Sequence, residues 1–165
     1  MHGTFETIDD RPTLRFERRL AHPVDAVWRA VTEPAELAEW FPSTVEGDLR
    51  VGGKLSFTFT TDGVPPMEGE VLELEAPRRL VFLWGEDELR FDLEPAGDGC
   101  VLRFTCVLGQ RDKAARDAAG WHACLDRLEQ RLDGAPAPEG EPWREHYEEY
   151  ARRGFTTGAA IPGES

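Results

Sequence analysis

At 165 residues the chain suits one domain with room for a real core. Its formal net charge of -13 sets it against phosphate backbones and anionic membrane surfaces, which disfavours nucleic acid as a partner. No apolar run approaches the roughly 20 residues of a membrane-spanning helix, and the N-terminus has no basic-then-apolar leader pattern, so a cytoplasmic protein is expected.

In chain order, residues 14–20 (LRFERRL) alternate around Leu14 and Phe16 and predict a strand. Pro23 then opens a helix at its first position, where a missing N–H costs nothing. Val24, Val27, Trp28 and Val31 give that helix one apolar face. Glu33-Pro34 ends it and starts a second short helix, whose face is Leu37, Trp40 and Phe41 and which stops at Pro42. The period then changes to two. Strands are predicted over 54–60, 67–77, 79–85, 88–95 and 100–109, separated by Gly, Pro and Asp turn signals. The short connections make the sheet antiparallel.

Helical period returns over 112–133. Ala114, Ala118, Trp121, Leu125, Leu128 and Leu132 form one stripe, with Asp112 as expected N-cap and Gly134 as C-cap. Gly120 in mid-helix predicts close approach by a bulky neighbour, a Trp among the candidates. Residues 141–155 carry Trp143, Tyr147, Tyr150 and Ala151 on one face, a short docking helix. The expected organisation is a domain over 1–133 with its core from about residue 12. A linker and helical extension follow over 134–155, then a disordered tail over 156–165. The expected fold is α+β: a curved antiparallel sheet of about six to seven strands wrapped around the long C-terminal helix, with two short helices after the first strand.

The stretch RRLAHPVDAVWRAVTEPAELAEWF, the strand start GGKLSF (52–57), GEVLELEAPRRLVFLW (69–84) and GWHACLDRLEQRL (120–132) together resemble the SRPBCC superfamily, the START-like or helix-grip fold. Within it they resemble the branch named for the activator of the heat-shock protein 90 ATPase, homolog 1-like. The likeness covers roughly residues 12–133, and none of its motifs is a catalytic signature. The resemblance implies a hydrophobic cavity between sheet and long helix. It also implies ligands such as lipids, sterols or polyketides, with some members acting as cyclases or aromatases. The eponymous activator binds a protein instead, through contacts that depend on a second domain.

The cavity of such a fold is lined by the inward aromatic set, and Trp40, Phe41, Phe57, Phe59, Trp84 and Trp121 are the candidate ligand-binding residues. Trp40 and Phe41 fall at the expected mouth, on a helix short enough to act as a lid. His122, one step off the long helix stripe, is a weak candidate for acid–base work, with Asp126 at i+4 able to orient its ring. Arg103 interrupts an apolar strand: it is exterior if Cys100, Leu102, Phe104 and Cys106 face the cavity, and an anion-holding cation if the register is opposite. His146, flanked by glutamates, reads as surface. Cys100 and Cys106 share one strand at roughly 20 Å separation, beyond disulfide reach. No Cys/His spacing matches zinc. Reduced thiols, no metal ligands and no cofactor are expected.

These readings combine into a small-molecule-binding module holding an apolar or aromatic ligand. The alternatives are an enzyme of the same fold, cyclase, dehydratase or hydrolase, using His122 and Arg103, and a chaperone-linked interaction module. The balance leans away from an enzyme. A homodimer through the 141–155 helix stays open.

Overall fold

The computed structural model describes residues 2–60, 63–136 and 143–161. The linker expected near 137–142 lies outside the described residues, as do 162–165 and the Asp62 half of the turn read at Asp62-Gly63.

The chain opens with a hairpin, β1 (Thr4–Ile8) and β2 (Arg11–Leu20), and continues through α1 (Val24–Thr32) and α2 (Pro34–Trp40). Six further strands follow: β3 (Glu46–Gly47), β4 (Lys54–Phe57), β5 (Met67–Glu75), β6 (Arg79–Trp84), β7 (Asp87–Ala96) and β8 (Gly99–Val107). A 3-10 turn at Arg111–Lys113 leads into α3 (Ala114–Asp133), and α4 is Trp143–Arg152. All eight strands form one antiparallel sheet in the order β1-β2-β8-β7-β6-β5-β4-β3. None of the described helices is long and apolar enough to cross a membrane.

The sheet has eight strands rather than the six to seven expected. Strand β1 turns into β2 through Asp9 and Asp10, both at positive φ (51° and 62°). Two left-handed residues in a two-residue loop twist as a hairpin requires, but Asp-Asp lacks the usual glycine, so the turn escapes pattern reading. Strand β3 has only two residues, too few to show alternation. Strand β4 ends at Phe57, short of residue 60.

Register aligns the inward row across three strands. Leu14 faces Cys106, which faces Leu89; Phe16 faces Phe104, which faces Phe91. All six are buried. The opposite row carries charge: Glu17 faces Arg103, which faces Asp92, which faces Arg79. Alternation at period two puts one row on the core and the other toward water.

Helix α3 lies across the inward face. Ala114, Ala118, Trp121, Leu125 and Leu128 of the expected stripe are buried, with Leu132 partly so. Ala115, Ala119, His122, Ala123 and Cys124 are buried as well, and α4 packs on α3. Gly120 meets Trp143: a Cβ there would lie 3.9 Å from the indole nitrogen, ordinary contact. Gly134 caps the helix in the left-handed region (φ 69°), as glycine favours. Asp112 is not the N-cap. The 3-10 turn shifts that position to Lys113, which makes no side-chain cap bond.

Lys113 works elsewhere. Its ammonium donates to both oxygens of buried Asp87 at 2.8 and 2.9 Å, and Asp87 Oδ1 also accepts from the Gly109 N–H. This buried pair ties the start of β7 to the entry of α3.

Residues 156–161, expected as part of a disordered tail, lie against the start of α3. The Ala115 N–H donates to the Thr156 carbonyl at 2.9 Å, Arg116 donates to the Ala160 carbonyl at 2.7 Å, and the Thr156 hydroxyl donates to the Arg111 carbonyl. Backbone partners give this segment an order that apolar pattern does not predict.

Candidate functional site

Two side-chain groups flank α3. Under its front face the candidate aromatics form one connected set. Trp121 contacts Trp84 at 5.3 Å, Phe41 at 5.5 Å and Phe104 at 4.8 Å between ring centroids. Phe41 reaches Trp84 at 5.9 Å, and Trp84 reaches Phe59 at 5.8 Å and Phe57 at 6.5 Å. These spacings and their edge-on tilts suit the ring quadrupoles.

Burial grades along the set. Trp40, Phe41, Phe57 and Trp121 are buried, while Phe59 and Trp84 are half-buried. The Trp84 indole donates to Ser43 Oγ at 3.3 Å. Trp40 is 1% exposed, and its indole N–H donates to the Ala30 carbonyl at 2.8 Å. That bond anchors α2 to α1. Two hollows among the described residues lie elsewhere. One, about 360 Å³, sits between the end of β2 and the β7–β8 turn; the other, about 210 Å³, sits between α2 and the end of α3. Between sheet and α3 the rings of the aromatic set pack directly on one another.

Behind α3, facing α4, is a polar group. His122 Nδ1 lies 2.8 Å from the Tyr150 hydroxyl, which also accepts the Gly3 N–H at 2.8 Å. The His122 ring stacks on His146 at 3.9 Å between centroids. His122 Nε2 is 3.6 Å from Asp126 Oδ2, and His146 Nε2 is 3.9 Å from the same oxygen. Asp126 Oδ1 accepts from Arg18 at 2.6 Å. Burial pushes His122 down to about 4, so its imidazole is neutral at pH 7; burial likewise raises the Tyr150 phenol.

His146 is therefore not a plain surface residue: its side chain is 19% exposed and its Nε2 is buried. The glutamates beside it point to water while the histidine faces α3. Arg18 and Tyr150 also escaped the sequence reading. A signal for Arg18 existed, because it shares the inward parity of Leu14, Phe16 and Leu20 on β2. Tyr150 was expected to dock but not to reach a histidine.

Arg103 takes the exterior alternative. It is half exposed and pairs with Glu94 at 2.7 Å and Glu17 at 3.5 Å. The hydrogen bond it donates to Glu94 raises its pKa above the ordinary arginine value. Arg103 and His122 lie on opposite sides of the sheet, so the structure does not bring these two candidates together. Cys100, Cys106 and Cys124 are buried with no disulfide among them, and burial raises the Cys100 and Cys106 thiols.

An antiparallel sheet wrapped on one long C-terminal helix, its end closed by two short helices, defines a helix-grip protein of the START-like SRPBCC class. Within that class the chain belongs to the family described as Activator of Hsp90 ATPase homolog 1-like protein, whose profile matches residues 21–133. Similar solved structures include CalU16 from Micromonospora echinospora. It is 30% identical, with 91% of this chain and 94% of that chain covered and a TM-score of 0.72. A conserved protein of unknown function from Enterococcus faecalis, EF2215, is 24% identical over 92% of this chain and 91% of its own, at TM-score 0.73, a likeness of fold. DynU16, a putative protein of the dynemicin biosynthetic locus, is 27% identical over 76% of this chain and 49% of its own, at TM-score 0.65. None of the curated proteins matches the chain.

Proposed function

We propose that the chain binds a small apolar or aromatic molecule at the outer end of the aromatic set. Trp84 and Phe59 form the entrance, Phe41, Phe57 and Trp121 the floor, and Trp40 the rear wall. The supporting observation is the gradient of burial through one continuous aromatic group, from half-buried Trp84 and Phe59 to fully buried Trp40. Because Phe59 and Trp84 pack on the buried rings, the ligand enters by displacing them, drawing on a less populated open conformation. Ser43, at the Trp84 indole, supplies a polar contact that orients the guest. The placing of DynU16 in a biosynthetic locus is in keeping with a small organic ligand. An enzyme using Arg103 and His122 together is disfavoured, since one faces solvent beyond the sheet and the other faces α4. Among the described residues the large exposed apolar side chains are Leu49 and Val51, a small area for a chaperone to grip.

The test is titration of an environment-sensitive hydrophobic dye into wild type and Trp84→Ala. Saturable binding by wild type, weakened about fivefold or more in the variant, supports the reading. Equal affinity in both proteins removes it. Native mass spectrometry of protein taken from its own cells would then identify the carried molecule.

A further inference from the structure

The polar group behind α3 has no part in that reading. The geometry points to a divalent transition-metal site of the zinc class, with His122 and Asp126 of α3 and His146 of α4 as ligands. One donor atom from each residue lies within 4.8 Å of the other two. The i,i+4 spacing puts His122 and Asp126 on one helix face, and α4 brings in His146 from the other side.

The separations favour a shared ion over mutual hydrogen bonds. Asp126 Oδ2 stands 3.6 Å from His122 Nε2 and 3.9 Å from His146 Nε2, both longer than a hydrogen bond. Tetrahedral zinc with nitrogen and oxygen at about 2.0–2.2 Å spaces its donors about 3.3 Å apart. The two Asp126 distances exceed that spacing by a few tenths of an ångström, and the two imidazole nitrogens, within 4.8 Å of each other, close on the ion by side-chain rotation. His146 Nε2 is buried and has no hydrogen-bond partner among the described residues. Its ring stacks on His122 at an interplanar angle of 25°, so binding requires one ring to rotate out of the stack until both lone pairs meet at a common centre.

A second ring of contacts prepares the ligands. With its proton on Nδ1, His122 donates to the Tyr150 hydroxyl and leaves the Nε2 lone pair for the ion. Arg18 holds Asp126 Oδ1 at 2.6 Å, so Oδ2 remains turned to the imidazoles. The Arg18 charge opposes a cation, and Glu129, 3.8 Å from that guanidinium, offsets it. Two imidazole nitrogens and one carboxylate oxygen select zinc-like ions over calcium or magnesium, and three protein ligands leave a position for water. Bound there, the ion would clamp α4 to α3, and through the Tyr150–Gly3 contact also the N-terminal arm.

The experiment uses the tag-free full chain, stripped with chelator. Zn²⁺ is followed by calorimetry, and Co²⁺ by visible absorption. The expected result is one ion per chain, Co²⁺ bands of a four-coordinate site, and a melting temperature raised by Zn²⁺. His146→Gln should keep its circular dichroism but lose about tenfold or more in Zn²⁺ affinity, together with the thermal shift. Tyr150→Phe, at a positioning residue, should lose about tenfold while keeping one-to-one stoichiometry. Titration without a stoichiometric end point, or equal Zn²⁺ affinity in wild type and His146→Gln, overturns the site. Should that variant fail to fold, the wild-type Co²⁺ spectrum still decides, because the weak bands of a six-coordinate aquo ion would overturn it too.

Discussion

The two faces of α3 are both buried, yet they are built on different principles. The front packs Trp121, Leu125 and Leu128 against the sheet, and its stability comes from apolar area. The back packs small residues and a histidine against α4, and there the polar atoms must find partners or cost free energy. The front can thus tolerate approximate shapes of similar volume. The back is sensitive to single atoms, because one hydroxyl, Tyr150, serves Gly3 and His122 together.

The sharpest way to break this contrast is Trp40→Ala, on the front side. It removes a 1%-exposed indole and leaves the Ala30 carbonyl unpartnered, so a loss of about 3–5 kcal/mol is expected in urea unfolding. A loss under about 1 kcal/mol would mean that α2 is loosely held and that Trp40 can swing as a lid.

On the back side, charge satisfaction rather than size should set the order of effects. With chelator present, Asp126→Ala leaves the buried Arg18 guanidinium without its 2.6 Å partner. A loss of about 2–3 kcal/mol is expected, below the fully buried limit because Asp126 is one-third exposed. Arg18→Met, which deletes as many heavy atoms, should cost less, since it removes the charge and its two unpartnered nitrogens together. Equal losses for the two variants would show that packing, not charge satisfaction, governs this face.

Tyr150→Phe keeps the ring and deletes the hydroxyl. It should lower stability by about 1–2 kcal/mol through the orphaned Gly3 N–H, with faster hydrogen exchange at Gly3 and its neighbours. Smallest of all is Arg103→Ala, on the solvent side of the sheet. Its side chain is half exposed and its partners Glu17 and Glu94 are similarly exposed. The melting temperature should stay where it is at physiological salt. A clear fall would mean that the charged row contributes to sheet stability.

The same contrast explains what could be read from sequence. The front of α3 was legible because Trp121, Leu125 and Leu128 are large and recur at helical period. The back was not, because Ala115, Ala119 and Ala123 are neutral to any periodicity count. His122 and His146 meet only because α4 folds back on α3, a contact no local spacing encodes. Arg18 sat in plain view on the inward parity of β2, but a charge on that row was read as polar alternation. The hairpin of β1 was hidden by a turn of two aspartates, and β3 by its length. The aromatic candidates were found as a set. How they fill the interior depends on rotamers and on the closeness of sheet to helix, which a one-dimensional pattern does not carry.

The strand order has a consequence for synthesis. Strand β2 precedes its neighbour β8 by two helices and five strands, so Leu14 waits until residue 106 is made before it meets Cys106. At about 5–20 residues per second, that interval is on the order of 5–20 s on the ribosome. During it the apolar row of β2 has only the β1 hairpin beside it, and one strand edge stands open. Non-local closure of this kind slows folding. The nascent chain therefore spends seconds as a candidate for capture by ribosome-bound folding factors, and a stall before β8 should leave it aggregation-prone rather than half-native.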